Sequence, residues 1–179
     1  GNVVRPNPEA IEMLLSGIAK LDIDVLHLDN ADPSVIANNP DESRRILISM
    51  VEHCTSGNVL ALGMESADPK VIEANNLNST PDQVLDTIRL MNEVGSERGE
   101  NGLPKLLPGL NFIVGLDGES DRTLDLNMSF LKKVSDWRPA TAVEATSVMF
   151  LRSNWPRSDA RRVGGACGSA WAAHRFEAP

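Results

Sequence analysis

A short apolar run that stops at a glycine limits the fold more than anything else in this chain. Leu110, Phe112, Ile113 and Val114 form a run with a β-branched centre, closed by Gly115 and followed by Asp117, Gly118, Glu119 and Ser120. A run this short, ended by glycine and followed by helical periodicity, predicts a buried parallel strand feeding a helix. Two earlier runs repeat the arrangement. Residues 25–28 (VLHL) lead to Asp29, Asn30 and Asp32, and residues 59–62 (VLAL) lead to Gly63, Met64, Glu65 and Ser66.

Between the runs lie helical patterns whose starts are marked by a polar residue followed by proline: Asn7-Pro8, Asn39-Pro40, Asp68-Pro69 and Thr80-Pro81. A short polar residue suits the N-cap, and proline suits the first helical position. Glu42 and Gln83, each three residues past a cap, predict capping boxes with Asn39 and Thr80. The inward stripes are Ile11, Leu14, Leu15, Ile18 and Leu21; Ile46, Leu47, Met50, Val51 and Cys54; Val84, Ile88 and Met91; and, after a cap at Ser120 or Asp121, Leu124, Met128, Leu131 and Val134. Helices alternating with strands predict an α/β fold with a parallel sheet. Three strands cannot close a barrel, which leaves a small open sheet or the middle of a larger one. A chain that starts at Gly1 rather than Met points to the second, a fragment or processed product forming a partial (β/α) barrel over residues 1–135.

Residues 136–179 depart from this pattern. One more strand is expected within residues 143–151, centred on Val148, Met149 and Phe150, and the rest is expected to be disordered or read out of frame. From residue 152 on, five arginines oppose only Asp159 and Glu177, a balance of +3 within a chain whose net charge is -8. The acidic body gives no reason to expect a nucleic acid, and an aromatic content of 4% without tyrosine argues against a base-stacking platform. No apolar run reaches the roughly 18–20 residues of a membrane span, so no membrane partner is expected and a cytoplasmic location is the default. Cys54 and Cys167 form neither a disulfide framework nor a zinc pattern, so no metal ligands are assigned.

In parallel sheets, chemistry gathers at the carboxyl ends of the strands. Glu65, Ser66 and Glu119 are therefore expected to face one small-molecule ligand, where a carboxylate suits ribose hydroxyls, amines or proton transfer. On spacing alone, helix capping by Glu65 and Glu119 is an equal alternative. His27, Asp29, Asn30 and Asp32 have the same two readings. The loop of residues 96–108, with Arg98, Asn101 and Lys105, is a further source of polar contacts.

The stretch LALGMESADPKVIEANNLNSTPDQVLDTIRLMNEVG followed by LNFIVGLDGES resembles the radical SAM superfamily. Most of all it resembles the archaeal members that carry a C-terminal helix-hairpin-helix, and the resemblance covers about residues 3–135. Gly63, Glu65 and Ser66 match the motif that ends the fourth barrel strand, and Ile113, Gly115, Gly118 and Glu119 match the one that ends the fifth. The resemblance implies S-adenosylmethionine at the strand ends, with Glu65 and Ser66 near its ribose and methionine part, and Ile113 and the backbone to Gly115 beside its adenine. It also implies a 4Fe-4S cluster that reduces the cofactor to release a 5′-deoxyadenosyl radical. The family's Cys-x-x-x-Cys-x-x-Cys motif is absent, so the cluster's ligands are expected in a full-length parent and this chain alone is expected to be inactive. Two other classes compete. A different (β/α) barrel enzyme predicts a strand-end Schiff-base lysine or a phosphate loop, whereas Lys70 and Lys105 fall in helix and loop. A non-catalytic interaction module predicts that the carboxylates only cap helices.

Overall fold

The structure, a computed structural model, describes residues 5–136 and 147–152. The expected disordered or out-of-frame sequence and Cys167 lie outside the described residues. Among the described residues ten elements follow one another: α1 (Pro8–Ile18), β1 (Asn30–Ala31), α2 (Pro33–Asn38), α3 (Pro40–His53), β2 (Asn58–Glu65), α4 (Pro69–Ala74), α5 (Pro81–Gly95), β3 (Leu106–Val114), α6 (Asp121–Asp136) and β4 (Ser147–Arg152). The sheet is wholly parallel, with strand order β1-β2-β3-β4. The fold is therefore α/β, as the alternation predicts.

Alternating side chains divide β2 and β3 between two faces. Leu60, Leu62 and Met64 of β2 and Leu110 and Phe112 of β3 are buried in one core. The helices contribute Leu47, Met50, Val84, Ile88, Met91, Phe130 and Val134 to the same core. Phe112 meets Phe130 edge to face at a centroid distance of 6.5 Å, a favoured geometry for aromatic pairs. On the other face Ala61, Gly63 and Glu65 of β2 and Asn111 and Ile113 of β3 are only half-buried. At the close of α5, a Cβ on Gly95 would lie 2.5 Å from the Leu106 Cβ and 3.0 Å from its carbonyl oxygen, so glycine lets this helix end press against the start of β3.

Several sequence expectations change. The run at residues 25–28 is not a strand; the strand is the two residues Asn30–Ala31. The reason is that side chains take its backbone groups. Thr55 Oγ1 accepts from the Leu26 N–H (3.0 Å), and the buried Asn58 amide accepts from the Leu28 N–H (2.7 Å) and donates to the Leu28 carbonyl (2.8 Å). β3 starts at Leu106 rather than Leu110, running through Pro108. Within the strand Pro108 lies opposite Leu60 of β2.

Thr80 and Gln83 form the expected capping box. Asn39 does not: it lies between α2 and α3, and its side chain donates back to the Val35 carbonyl. α6 is rotated from its expected setting, with Leu124 and Met128 exposed and Thr123, Asn127, Phe130 and Val134 inward. Polar anchors set that rotation. Thr123 Oγ1 donates to Asp68 (2.7 Å), and Asn127 Oδ1 accepts from the Ala67 N–H (2.7 Å). Among the described residues, no helix is long and apolar enough to cross a membrane.

Candidate functional site

The carboxyl end of β2 is irregular in a way that aims one side chain. The register with β3 shifts between Gly63 and Glu65, a bulge that leaves Met64 without a partner. Glu65 has φ 55°, a left-handed conformation uncommon outside glycine, asparagine and aspartate. Bulges of this kind re-aim side chains beside functional sites. Here the Glu65 carboxylate folds back over Gly63, where an added Cβ would lie 2.7 Å from Glu65 Oε1. Gly63 thus provides the seat for this carboxylate.

Glu65 Oε2 is buried without a hydrogen-bond partner. Burial pushes the Glu65 pKa above the usual carboxylate range, because a charge without compensation is disfavoured away from water. The carboxylate lines a cavity of about 510 Å³ that also touches Gly63 and Ile113, Asn30 and Asp32 from the β1–α2 side, and residues 76–79 from the loop after α4. Among the described residues, no Lys, Arg or His lines this cavity. The chemistry of these described residues suits a neutral or cationic hydrogen-bonding ligand.

The residues singled out from sequence divide into two groups. Gly63, Glu65 and Ile113 share the cavity. Gly115, Gly118 and Glu119 form the turn after β3. Gly115 and Gly118 take positive φ (97° and 83°), and the Glu119 carboxylate accepts from the Gly115 N–H (2.8 and 2.9 Å) and the Leu116 N–H (3.1 Å). Ser66 is fully buried, and its Oγ accepts from the Asp68 N–H (3.2 Å). Asp32 caps α2 through the Ser34 and Val35 amides, while His27 pairs its Nε2 with the Thr55 carbonyl oxygen (3.0 Å).

Arg98 and Asn101 belong to the other end of the sheet. Their loop precedes β3 and is tied to the segment before β2 by Asn101, which donates to the Ser56 carbonyl (2.9 Å), while Arg98 donates within the loop to the Gly102 carbonyl (2.6 Å). Residues 76–79 did not stand out as a site in the sequence. Their only signal is the polar run Asn75, Asn76, Asn78 and Ser79, in which Asn76 takes φ 49°. A second groove, of about 440 Å³ between α1 and α3, has Arg45 paired with Glu9 and Glu12. No group of three or more His, Cys, Asp or Glu side chains among the described residues is arranged to hold a metal ion. Cys54 is buried, which pushes its thiol pKa up.

These features define an α/β protein with a parallel sheet in sequence order and a carboxylate-lined cavity at the strand ends. No protein-family profile matches the chain. It is 53% identical over 135 residues to an uncharacterized protein of Methanocaldococcus jannaschii, covering 75% of this chain and 25% of that protein. It is 43% identical over 136 residues to an uncharacterized protein of Archaeoglobus fulgidus (75% and 26% covered), and 28% identical over 128 residues to one of Methanopyrus kandleri (72% and 21% covered). The chain spans about a quarter of the length of the curated relatives it matches.

Proposed function

We propose that this chain is the S-adenosylmethionine-binding middle part of a radical SAM enzyme, built as a partial (β/α) barrel. One observation carries the reading: the half-buried Glu65 carboxylate, with Oε2 unpartnered, in a cavity at the carboxyl ends of β1, β2 and β3. The sheet order supports the barrel. In a doubly wound sheet the strand order reverses at a switch point; here it follows the sequence without reversal, and β2 and β3 press one face onto a helix-lined core while the other stays half-buried. An arc of successive strand–helix units has this arrangement.

The cavity residues fit the cofactor. Glu65 Oε2 would accept from a ribose hydroxyl or an ammonium group, Ile113 would offer an apolar surface to adenine, and Gly63 keeps the carboxylate in place. The cofactor supplies the radical chemistry, and these residues bind and orient it. They do not fit an iron–sulfur cluster, which thiolates hold: Cys54 is solitary and buried, and the sequence has only one other cysteine. In this reading the cluster's ligands belong to another part of the longer protein.

Calorimetric titration of the chain with S-adenosylmethionine tests the proposal. Glu65→Gln should weaken binding at least about tenfold, the scale of a lost charge-assisted hydrogen bond. Its stability at pH 7 should not fall, because the substitution removes a poorly solvated charge. Unchanged affinity in this variant, or no binding by the parent chain, rejects the reading. A non-catalytic interaction module is the second reading, favoured by the use of the Glu119 carboxylate within its own turn. It predicts that neither Glu65→Gln nor Glu119→Gln alters any ligand affinity.

A further inference from the structure

The cavity has one wall, residues 76–79, that no strand supports. The segment leaves the short helix α4 through Asn75, and the Asn75 side chain reaches across to the turn after β3. Its Oδ1 accepts from the Asp117 N–H (3.2 Å), and its Nδ2 donates to the Asp117 carbonyl (2.8 Å) and also to the Val71 carbonyl (2.8 Å). One amide thus pairs with both polar groups of a distant residue while gripping its own helix. The turn also lies near α4 at Gly118, where an added Cβ would come within ordinary contact distance of the Lys70 carbonyl oxygen and the Ala74 Cβ, 3.6 Å from each. Immediately after the latch the backbone turns left-handed at Asn76, which sends residues 77–79 toward the cavity. On the far side, the Glu119 carboxylate holds the Gly115 and Leu116 amides, two and three residues past Ile113.

We propose that Asn75 is a positioning residue for the strand-end site. Its side chain ties the wall of residues 76–79 to the turn of residues 115–119, so that Glu65 and Ile113 face a wall of fixed shape. The loop after α4 and the loop after β3 then order together, and a ligand held between them is bound only when both are in place. This role rests on the cavity's being the S-adenosylmethionine site, but the coupling between the loops does not, and the two can be tested apart.

The experiment compares the chain with Asn75→Ala, Asn75→Asp and, as a control, Val134→Ala in the core far from both loops. Amide hydrogen exchange is followed at Asn76 and Leu77 on one side and at Gly115 and Leu116 on the other. Neither Gly115 nor Leu116 bonds to Asn75, so their exchange reports transmission rather than direct loss. Asn75→Ala should speed exchange on both sides by about tenfold and weaken S-adenosylmethionine by a similar factor, the worth of one to two net hydrogen bonds. Asn75→Asp retains an acceptor for the Asp117 N–H and should recover part of both effects. Val134→Ala should lower the melting temperature and leave the affinity unchanged. Exchange at Gly115 and Leu116 that stays at the parent rate in both Asn75 variants overturns the proposal. So does an affinity loss that Val134→Ala reproduces at equal loss of melting temperature. If the parent chain binds no S-adenosylmethionine, the functional reading fails while the exchange data still decide the latch. If Asn75→Ala does not fold, Asn75→Asp carries the same comparison.

Discussion

Asn58 is the side chain whose removal should be most informative about how the sheet is assembled. It is fully buried, and its amide acts as a substitute peptide for Leu28 by accepting from the N–H at 2.7 Å and donating to the carbonyl at 2.8 Å. Asn58→Ala leaves both Leu28 groups without partners. An orphaned buried donor or acceptor costs about 1–3 kcal/mol. Leu28 is only partly buried, so water recovers some of this, and a total near 2–4 kcal/mol is expected. Asn58→Asp gives the reasoning a sign as well as a size. A protonated aspartic acid still donates to the Leu28 carbonyl and accepts from its N–H, whereas the carboxylate opposes that carbonyl. The folded-state pKa of this aspartate should therefore lie above its unfolded value of about 3.9. Its contribution is then fully present below about pH 4 and is lost as pH rises through the folded pKa. Urea unfolding followed by far-UV circular dichroism at pH 4 and pH 7 measures both effects. Comparing Asn58→Asp with Asn58→Ala cancels the acid sensitivity of the rest of the chain. A cost for Asn58→Ala below about 0.5 kcal/mol, the usual range of a neutral surface change, would refute the argument. So would a gap between the two variants that does not narrow from pH 4 to pH 7.

Two other predictions test the packing between layers. The Thr123 hydroxyl, the Lys70 N–H and the positive charges of Arg122 and Lys70 hold the Asp68 carboxyl below the usual carboxylate range. Its contribution is present above the unfolded pKa and lost as pH falls through the folded one, so Thr123→Val should lower stability at pH 7 and flatten the acid limb below about pH 4; an unchanged acid limb speaks against the contact. Gly95→Ala drives a methyl group against the Leu106 backbone and should cost at least about 1–3 kcal/mol in a denaturant titration, as overpacking does. A neutral result would mean that α5 can lift from β3 freely.

The legible parts of this fold were those encoded by runs of one residue type. β2 and the second half of β3 announce themselves as short apolar stretches ended by glycine, and the proline-marked starts of α1, α3, α4 and α5 are local signals, whereas α2 behind Asp32-Pro33 is too short to show a helical stripe. β1 was misread because nothing in VLHL shows that an asparagine 30 positions later supplies its hydrogen bonds. The face of α6 was misread for the same reason. Leu124 and Met128 look like core residues, but Thr123 and Asn127 are fixed by partners near residue 68. In the site, Gly63 and Glu65 stand out in the sequence because they end a strand, and Ile113 through the family resemblance. The bulge at Gly63–Glu65 and the bond from Asn75 to Asp117 exist only once distant segments meet, and no residue pattern encodes them locally.

The seating of Glu65 over Gly63 makes position 63 a place where two evolutionary pressures pull in opposite directions. Glycine inside a strand is entropically wasteful, and alanine there would ordinarily be a gain. The atom such an alanine would meet is the far end of a flexible side chain, so the strand would keep its course and the carboxylate would swing away. Selection for thermal robustness alone would accept that exchange and erase the site without leaving a trace in the fold. Glycine at 63 is a concession by the scaffold to its cavity, stability given up so that the Glu65 carboxylate keeps its seat.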